Sequence, residues 1–187
     1  MESKSKAIGQ DELNQILERT IGWINNCDTK TSIILSGLGV LYGIFLATDY
    51  LGKSISLVKW MIDNLSFGSV VYLIFISISV LLMLVGVAFF TLVLLSRTNI
   101  SEFRNQKVNS VSLLFFDSIS SFSTVKDYKN KIENCDGKLF IDDLISQIYV
   151  FSIICKSKFD YYKRGLLFSL FGVVMYCILN FIGVLVV

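Results

Sequence analysis

Apolar residues along this chain gather into three long uncharged runs, 31–48, 65–96 and 165–187, separated by polar stretches. A bilayer-crossing helix needs roughly 17–25 predominantly apolar residues, so each run predicts a transmembrane helix. The middle run has 32 uncharged residues, about 48 Å as α-helix, and must tilt or project beyond the hydrocarbon. Ahead of the first run, Leu13, Ile16, Leu17, Thr20, Ile21 and Ile24 share one face at helical spacing. Asp11 and Glu12 sit toward the start, where the helix dipole favours them. No proline intervenes, so one helix is predicted over about residues 10–48. A second stripe, Ile141, Leu144, Ile145, Ile148, Phe151, Ser152, Cys155, Phe159 and Tyr162, runs in the same way into the third apolar run. Between the stripes, "QKVNSVSLLFFDSISSFS" reads as a short strand or an ordered loop. "STVKDYKNKIENCDG" reads as a short helix with Ser123 or Thr124 as its N-cap and Gly137 beyond its end.

These elements predict an all-α membrane protein: three transmembrane helices continuing into a small cytoplasmic helical bundle, in an oligomer. Residues 1–30 form an amphipathic stalk, 31–48 the first span, 49–64 an external loop, 65–96 the second span, 97–164 a cytoplasmic sensor region and 165–187 the third span. Composition strengthens this picture. The 187 residues are 53% hydrophobic and 17% charged, whereas soluble domains carry about a quarter charged residues. The first twelve residues, "MESKSKAIGQDE", are too charged for a signal peptide. Of 17 Lys and Arg residues, only Lys53 and Lys59 fall in 49–64. The positive-inside rule then puts the N-terminus and 97–164 in the cytoplasm and the C-terminus outside.

Chemistry narrows the function classes. The chain has no histidine and no proline, which removes the commonest general base and metal ligand and the strongest helix breaker. There is no Gly-rich phosphate loop, zinc spacing, Ser/His/Asp set or carboxylate dyad, so no enzyme, cofactor or metal is expected. The four cysteines form no C-x-x-C pair, and free thiols are expected. Asp142 and Asp143 read as helix N-terminal charge.

Four polar constellations stand out. Asp28 and Lys30 lie where the first helix enters its apolar run, and neither has an opposite charge three or four residues away. Arg97 and Arg164 lie at the same predicted depth, so Asp28 is expected either to pair with one of them or to be solvated among headgroups. Ser32, Ser36, Gly39 and Gly43 form a small-residue stripe of the kind that lets helices approach closely in lipid. It reads as intramolecular packing, or as a subunit interface or pore wall. Asn180 is the most polar residue deep in a span, where it must self-associate, line a pore or bond a neighbouring helix. Lys107, Phe115, Phe116, Lys126, Tyr128, Lys129 and Lys131 mix cations, which suit phosphates, with rings, which stack on bases. A solvated charged helix over a small hydrophobic cluster is the alternative.

The order "ERTIGWINNCDTKTSIIL", two apolar runs, "NSVSLLFFDSIS" with "DYKNKI", then "LISQIYVFSIICKSKFDYYKRG" before a last run resembles the Pycsar-type transmembrane effector family. The likeness rests on Trp23, Asp28 and Lys30, on Leu114-Phe115-Phe116, on Tyr128, and on Gln147 with Lys158. Family members usually have a small residue after the paired aromatics, where this chain has Asp117. The effector of the Hailong system is similar in organisation.

The resemblance implies a bacterial anti-phage effector in the inner membrane, paired with a nucleotidyltransferase or cyclase. A cyclic nucleotide would activate it, or a short oligonucleotide would hold it closed. Three spans cannot enclose a wet pore, so an ion channel requires several copies, a tetramer being the working number. In that reading Lys107, Phe115, Phe116, Lys126, Tyr128 and Lys129 bind the nucleotide. Trp23, Asp28, Lys30, Arg97 and Arg164 form a gating lip at the membrane surface. A non-conducting anchor that recruits a cytoplasmic partner is the alternative.

Overall fold

The structure is a computed structural model and describes residues 9–47, 49–95 and 112–186, with side chains apart from 45–51 and 184–186. Six helices follow in order: α1 (Gln10–Ala47), α2 (Asp49–Asp63), α3 (Phe67–Leu94), α4 (Phe116–Ser120), α5 (Val125–Glu133) and α6 (Gly137–Val186). No strand occurs among the described residues. Of the expected strand or loop before α5, residues 106–111 lie outside the described residues, and 112–115 form a turn leading into α4. Gly137 opens α6 instead of lying past the preceding helix. The chain divides into two compact units, one of residues 1–26 and 96–157, the other of 27–95 and 158–187. Helices α1 and α6 each contribute to both.

The second unit is built around α3 and α6. Their buried positions are separated by three, four, seven or eleven residues: Tyr72, Ser79, Gly86, Phe90 and Val93 on α3, Gly165, Ser169, Gly172 and Gly183 on α6. That spacing keeps one seam facing one partner over many turns. The glycines show how close the seam is. A Cβ on Gly86 would overlap the Ser169 hydroxyl and come within 2.7 Å of the Ser169 backbone nitrogen. On Gly172 it would lie 2.9 Å from the Met83 nitrogen, and on Gly165 it would lie 3.0 Å from the Phe90 ring. On Gly183 it would meet Leu57 and Tyr72. Residue numbers rise along α6 as they fall along α3, so the two helices are antiparallel. In lipid, where burying apolar surface brings no gain, contact of this kind between small residues drives association. Phe89 and Phe168 stack nearly parallel at 5.6 Å beside the seam.

Among the described residues, two helices are long and apolar enough to cross a membrane, Phe67–Leu94 and the Gly137–Gly183 part of α6. These overlap the second and third apolar runs, 65–96 and 165–187. The expected first span, 31–48, lies in α1 up to Ala47, and its last residues fall outside the described side chains.

The segment expected as an external loop is helix α2, packed along the same seam. Leu57 and Met61 are buried against Tyr72, with Ile76 and Leu179 alongside. Ser54 donates a hydrogen bond to Asn180 Oδ1 at 2.9 Å. From Asp28 beside Lys158 to Ser54 beside Asn180, the chain advances along α6 in α6's own direction. Thus α1 and α2 run the same way, one after the other. Lys53, Lys59 and Asp63 interrupt the hydropathy of α2 without interrupting its helical spacing, which is why it read as a loop.

Candidate functional site

The first unit holds a buried polar cluster centred on Ser112, which lies just before the paired phenylalanines. Its hydroxyl donates to Asp143 Oδ2 at 3.0 Å and accepts from Gln147 Nε2 at 3.0 Å. It also accepts from the backbone N–H groups of Leu114 (3.1 Å) and Phe115 (3.0 Å). Asp143 Oδ2 further accepts the Leu113 N–H at 2.8 Å. Asp143 and Gln147 are one turn apart on α6, so both side chains leave the helix on the same face. Together they clamp the 112–115 turn to α6. Tyr128 of α5 completes the clamp by donating to the Leu113 carbonyl at 2.9 Å. Its ring lies 5.4 Å from Phe122. Helix α5 starts where Thr124 accepts the Asp127 N–H at 3.1 Å, one of the two caps expected.

The clamp leaves two acceptors over. Asp143 Oδ1 and Gln147 Oε1 are buried and have no hydrogen-bond donor among the described residues, while their residues are only 4% and 5% exposed. A buried polar group without a partner costs about 1–3 kcal/mol.

The second unit holds an ion pair. Lys158 Nζ donates to both Asp28 oxygens, at 2.7 and 2.8 Å. Lys158 is 8% exposed, and Asp28 keeps about a third of its side chain open. One turn on, Thr31 is buried and bonds the Cys27 carbonyl at 2.8 Å. The expectation that Asp28 meets Arg97 or Arg164 is corrected: its partner is Lys158. Arg164 forms no ion pair among the described residues, and Arg97 lies outside them. The α3–α6 seam fixes the rotation of α6 so that Lys158 faces inward, while Arg164 is exposed.

Residues 12–186 match the family model of the Pycsar effector protein domain. The chain belongs to the Pycsar effector family. It is 28% identical over 179 residues to the Pycsar effector protein GmPycTM of Gulbenkiania mobilis, with 91% of each chain covered. No solved structure matches it. Membership in this family makes the chain an anti-phage effector of the membrane, as the resemblance implied.

The geometry sorts the expected Pycsar-effector residues. Phe115 is buried and Phe116 is 62% exposed, with ring centres 4.7 Å apart. Lys126 and Lys129 are exposed on α5, where Lys129 pairs loosely with Glu133 at 3.6 Å. Lys107 lies outside the described residues. Trp23 is half exposed, and Lys30 is exposed with no ion pair among the described residues. Ser32, Ser36, Gly39 and Gly43 are exposed, and a Cβ on either glycine would meet nothing within 4 Å. The close small-residue seam within the chain is on α3 and α6 instead. Asn180 bonds within the chain, accepting from Ser54 and donating to the Tyr176 carbonyl at 2.9 Å.

Sequence reading missed two members of these sites. Ser112 carried no signal. Asp143 read as helix N-terminal charge, but it is buried and only Asp142 is exposed. The available clue was a carboxyl and an amide one turn apart, Asp143 and Gln147, beside an apolar stripe. The described residues contain no group of three metal-ligating side chains and no disulfide.

Proposed function

We propose that this Pycsar effector is a nucleotide-controlled membrane protein that conducts ions as a homo-oligomer and breaches the host membrane when released. One observation carries the reading. Helix α6 bears the Asp143–Gln147 clamp in one unit and the Gly165–Gly183 seam in the other. A change of partner at the clamp therefore acts on a helix that also packs the apolar unit. The clamp also holds the turn that presents the exposed Phe116, and α5, which carries exposed cations, is tied to that turn by Tyr128; rings and cations together suit a base and its phosphates.

In this reading the first pass is α1 followed by α2, the second α3 and the third the C-terminal part of α6, with the N-terminus cytoplasmic. Three such passes fill their own centre, so the pore lies on the axis of an oligomer. The exposed Ser32, Ser36, Gly39 and Gly43 face of α1 is its candidate wall or interface. A nucleotide shifts the ring between two arrangements by binding one of them more tightly. The partner nucleotide-synthesising enzyme supplies either a cyclic nucleotide that opens the ring or an oligonucleotide that closes it.

Ion flux from liposomes containing only the purified protein, measured with and without added nucleotides, tests this. Flux that changes with nucleotide, and a response altered in Lys126→Glu/Lys129→Glu protein that still inserts, is the expected result. Absence of flux under every condition, with partner binding retained, would replace the channel with the anchor.

A further inference from the structure

We infer that Asp143 Oδ1 and Gln147 Oε1 are the base-reading acceptors of the nucleotide site, and that they select a base carrying an exocyclic amino group. The inference rests on the nucleotide-control reading above and adds the residues and the chemistry that recognise the base. Both side chains use their other polar atom on Ser112, at 3.0 Å each. The two groups are thus drawn together around one oxygen. The two remaining oxygens meet no donor among the described residues. Both are acceptors, one turn apart on one helix face, and neither has a proton donor among the described residues.

A primary amine is the group that answers this arrangement, because it carries two N–H donors on one atom. Cytosine, adenine and guanine bear such an amine. Uracil presents carbonyl oxygens at the equivalent positions, and these would face the two acceptors with like partial charge. The exposed Phe116 lies two residues past the Leu114 N–H that Ser112 holds, within reach as a stacking surface. Both residues are buried, so the base enters as the site opens, and it is read on the helix that continues into the apolar unit.

The test uses the full chain in detergent. Binding is measured for the 3′,5′-cyclic monophosphates of cytidine, adenosine, guanosine and uridine and for the matching homotrinucleotides. Wild type is compared with Asp143→Asn and with Asp142→Asn, an exposed neighbour. Asparagine at 143 keeps one oxygen for Ser112 and Leu113 and turns the other acceptor into a donor. Expected are at least tenfold tighter binding of an amino-bearing nucleotide than of its uridine counterpart, and at least tenfold loss in Asp143→Asn. Its melting temperature should be unchanged or raised, and Asp142→Asn should bind as wild type does. Equal or tighter binding of the uridine ligand by wild type overturns the inference while leaving nucleotide control standing, and this arm needs no variant. A lowered melting temperature of ligand-free Asp143→Asn also overturns it, because the missing donor then comes from the chain itself. No binding by any nucleotide overturns both this inference and the nucleotide-control reading.

Discussion

The two units hold their helices by opposite means. In the apolar unit, α3 and α6 meet where side chains are missing: Gly86 on Ser169, Gly172 on Met83, Gly165 on Phe90. In the other unit, α6 meets the 112–115 turn through side chains with polar atoms: Asp143 and Gln147 make three hydrogen bonds to Ser112 and the Leu113 N–H, and Ser112 makes two more inside the turn. Steric contact of the first kind has one good register and resists any added atom. A hydrogen-bonded node of the second kind can trade one partner for another of the same polarity.

The comparison breaks most readily at the seam. Gly172→Leu should be the most disruptive change, because its first carbon already falls within 2.9 Å of backbone. Overpacking costs about 1–3 kcal/mol and more where backbone must move. Thermal unfolding in detergent should show a loss of many degrees, and an unchanged melting temperature would refute the seam. Next comes Ser112→Ala, which strands the Leu114 and Phe115 N–H groups and one Asp143 bond. About 2 kcal/mol should be lost, with amide exchange accelerated over 112–116 and not over 72–93.

The ion pair is expected to sit below these. A double-mutant cycle with Asp28→Asn and Lys158→Met should give a coupling of about 1–2 kcal/mol. That is less than a fully buried pair, because Asp28 remains partly in contact with solvent. A coupling near zero would mean the contact contributes geometry without stability. Smallest is Thr124→Ala, about 1 kcal/mol from the loss of a cap. Its effect should be confined to α5 and read by exchange of the Asp127 and Tyr128 amides.

Several elements could be read ahead of the structure from particular residues. The uncharged runs 65–96 and 165–187 marked α3 and the end of α6 because hydropathy over twenty residues needs no neighbour to be recognised. The stripes at 13–24 and 141–162 marked the long helices because no proline cuts them. Helix α2 escaped, since Lys53 and Lys59 dilute its hydropathy although Leu57 and Met61 keep helical spacing. Ser32, Ser36, Gly39 and Gly43 have the spacing of a close seam, yet the glycines that touch within the chain are Gly86, Gly165 and Gly172. Spacing alone makes both stripes equally plausible. What separates them is which helix stands opposite.

The sequence by itself determined that this chain is helical, that it is built for a membrane, and which family it resembles, because these depend on local periodicity and on order along the chain. Only the tertiary structure decided that Lys158 rather than Arg164 meets Asp28, that α2 lies along α3, and that Asp143 turns inward to hold the 112–115 turn. Those facts depend on the rotation and offset of one helix against another. That rotation is set by close contacts between residues far apart in sequence, and no periodicity within a single segment records them.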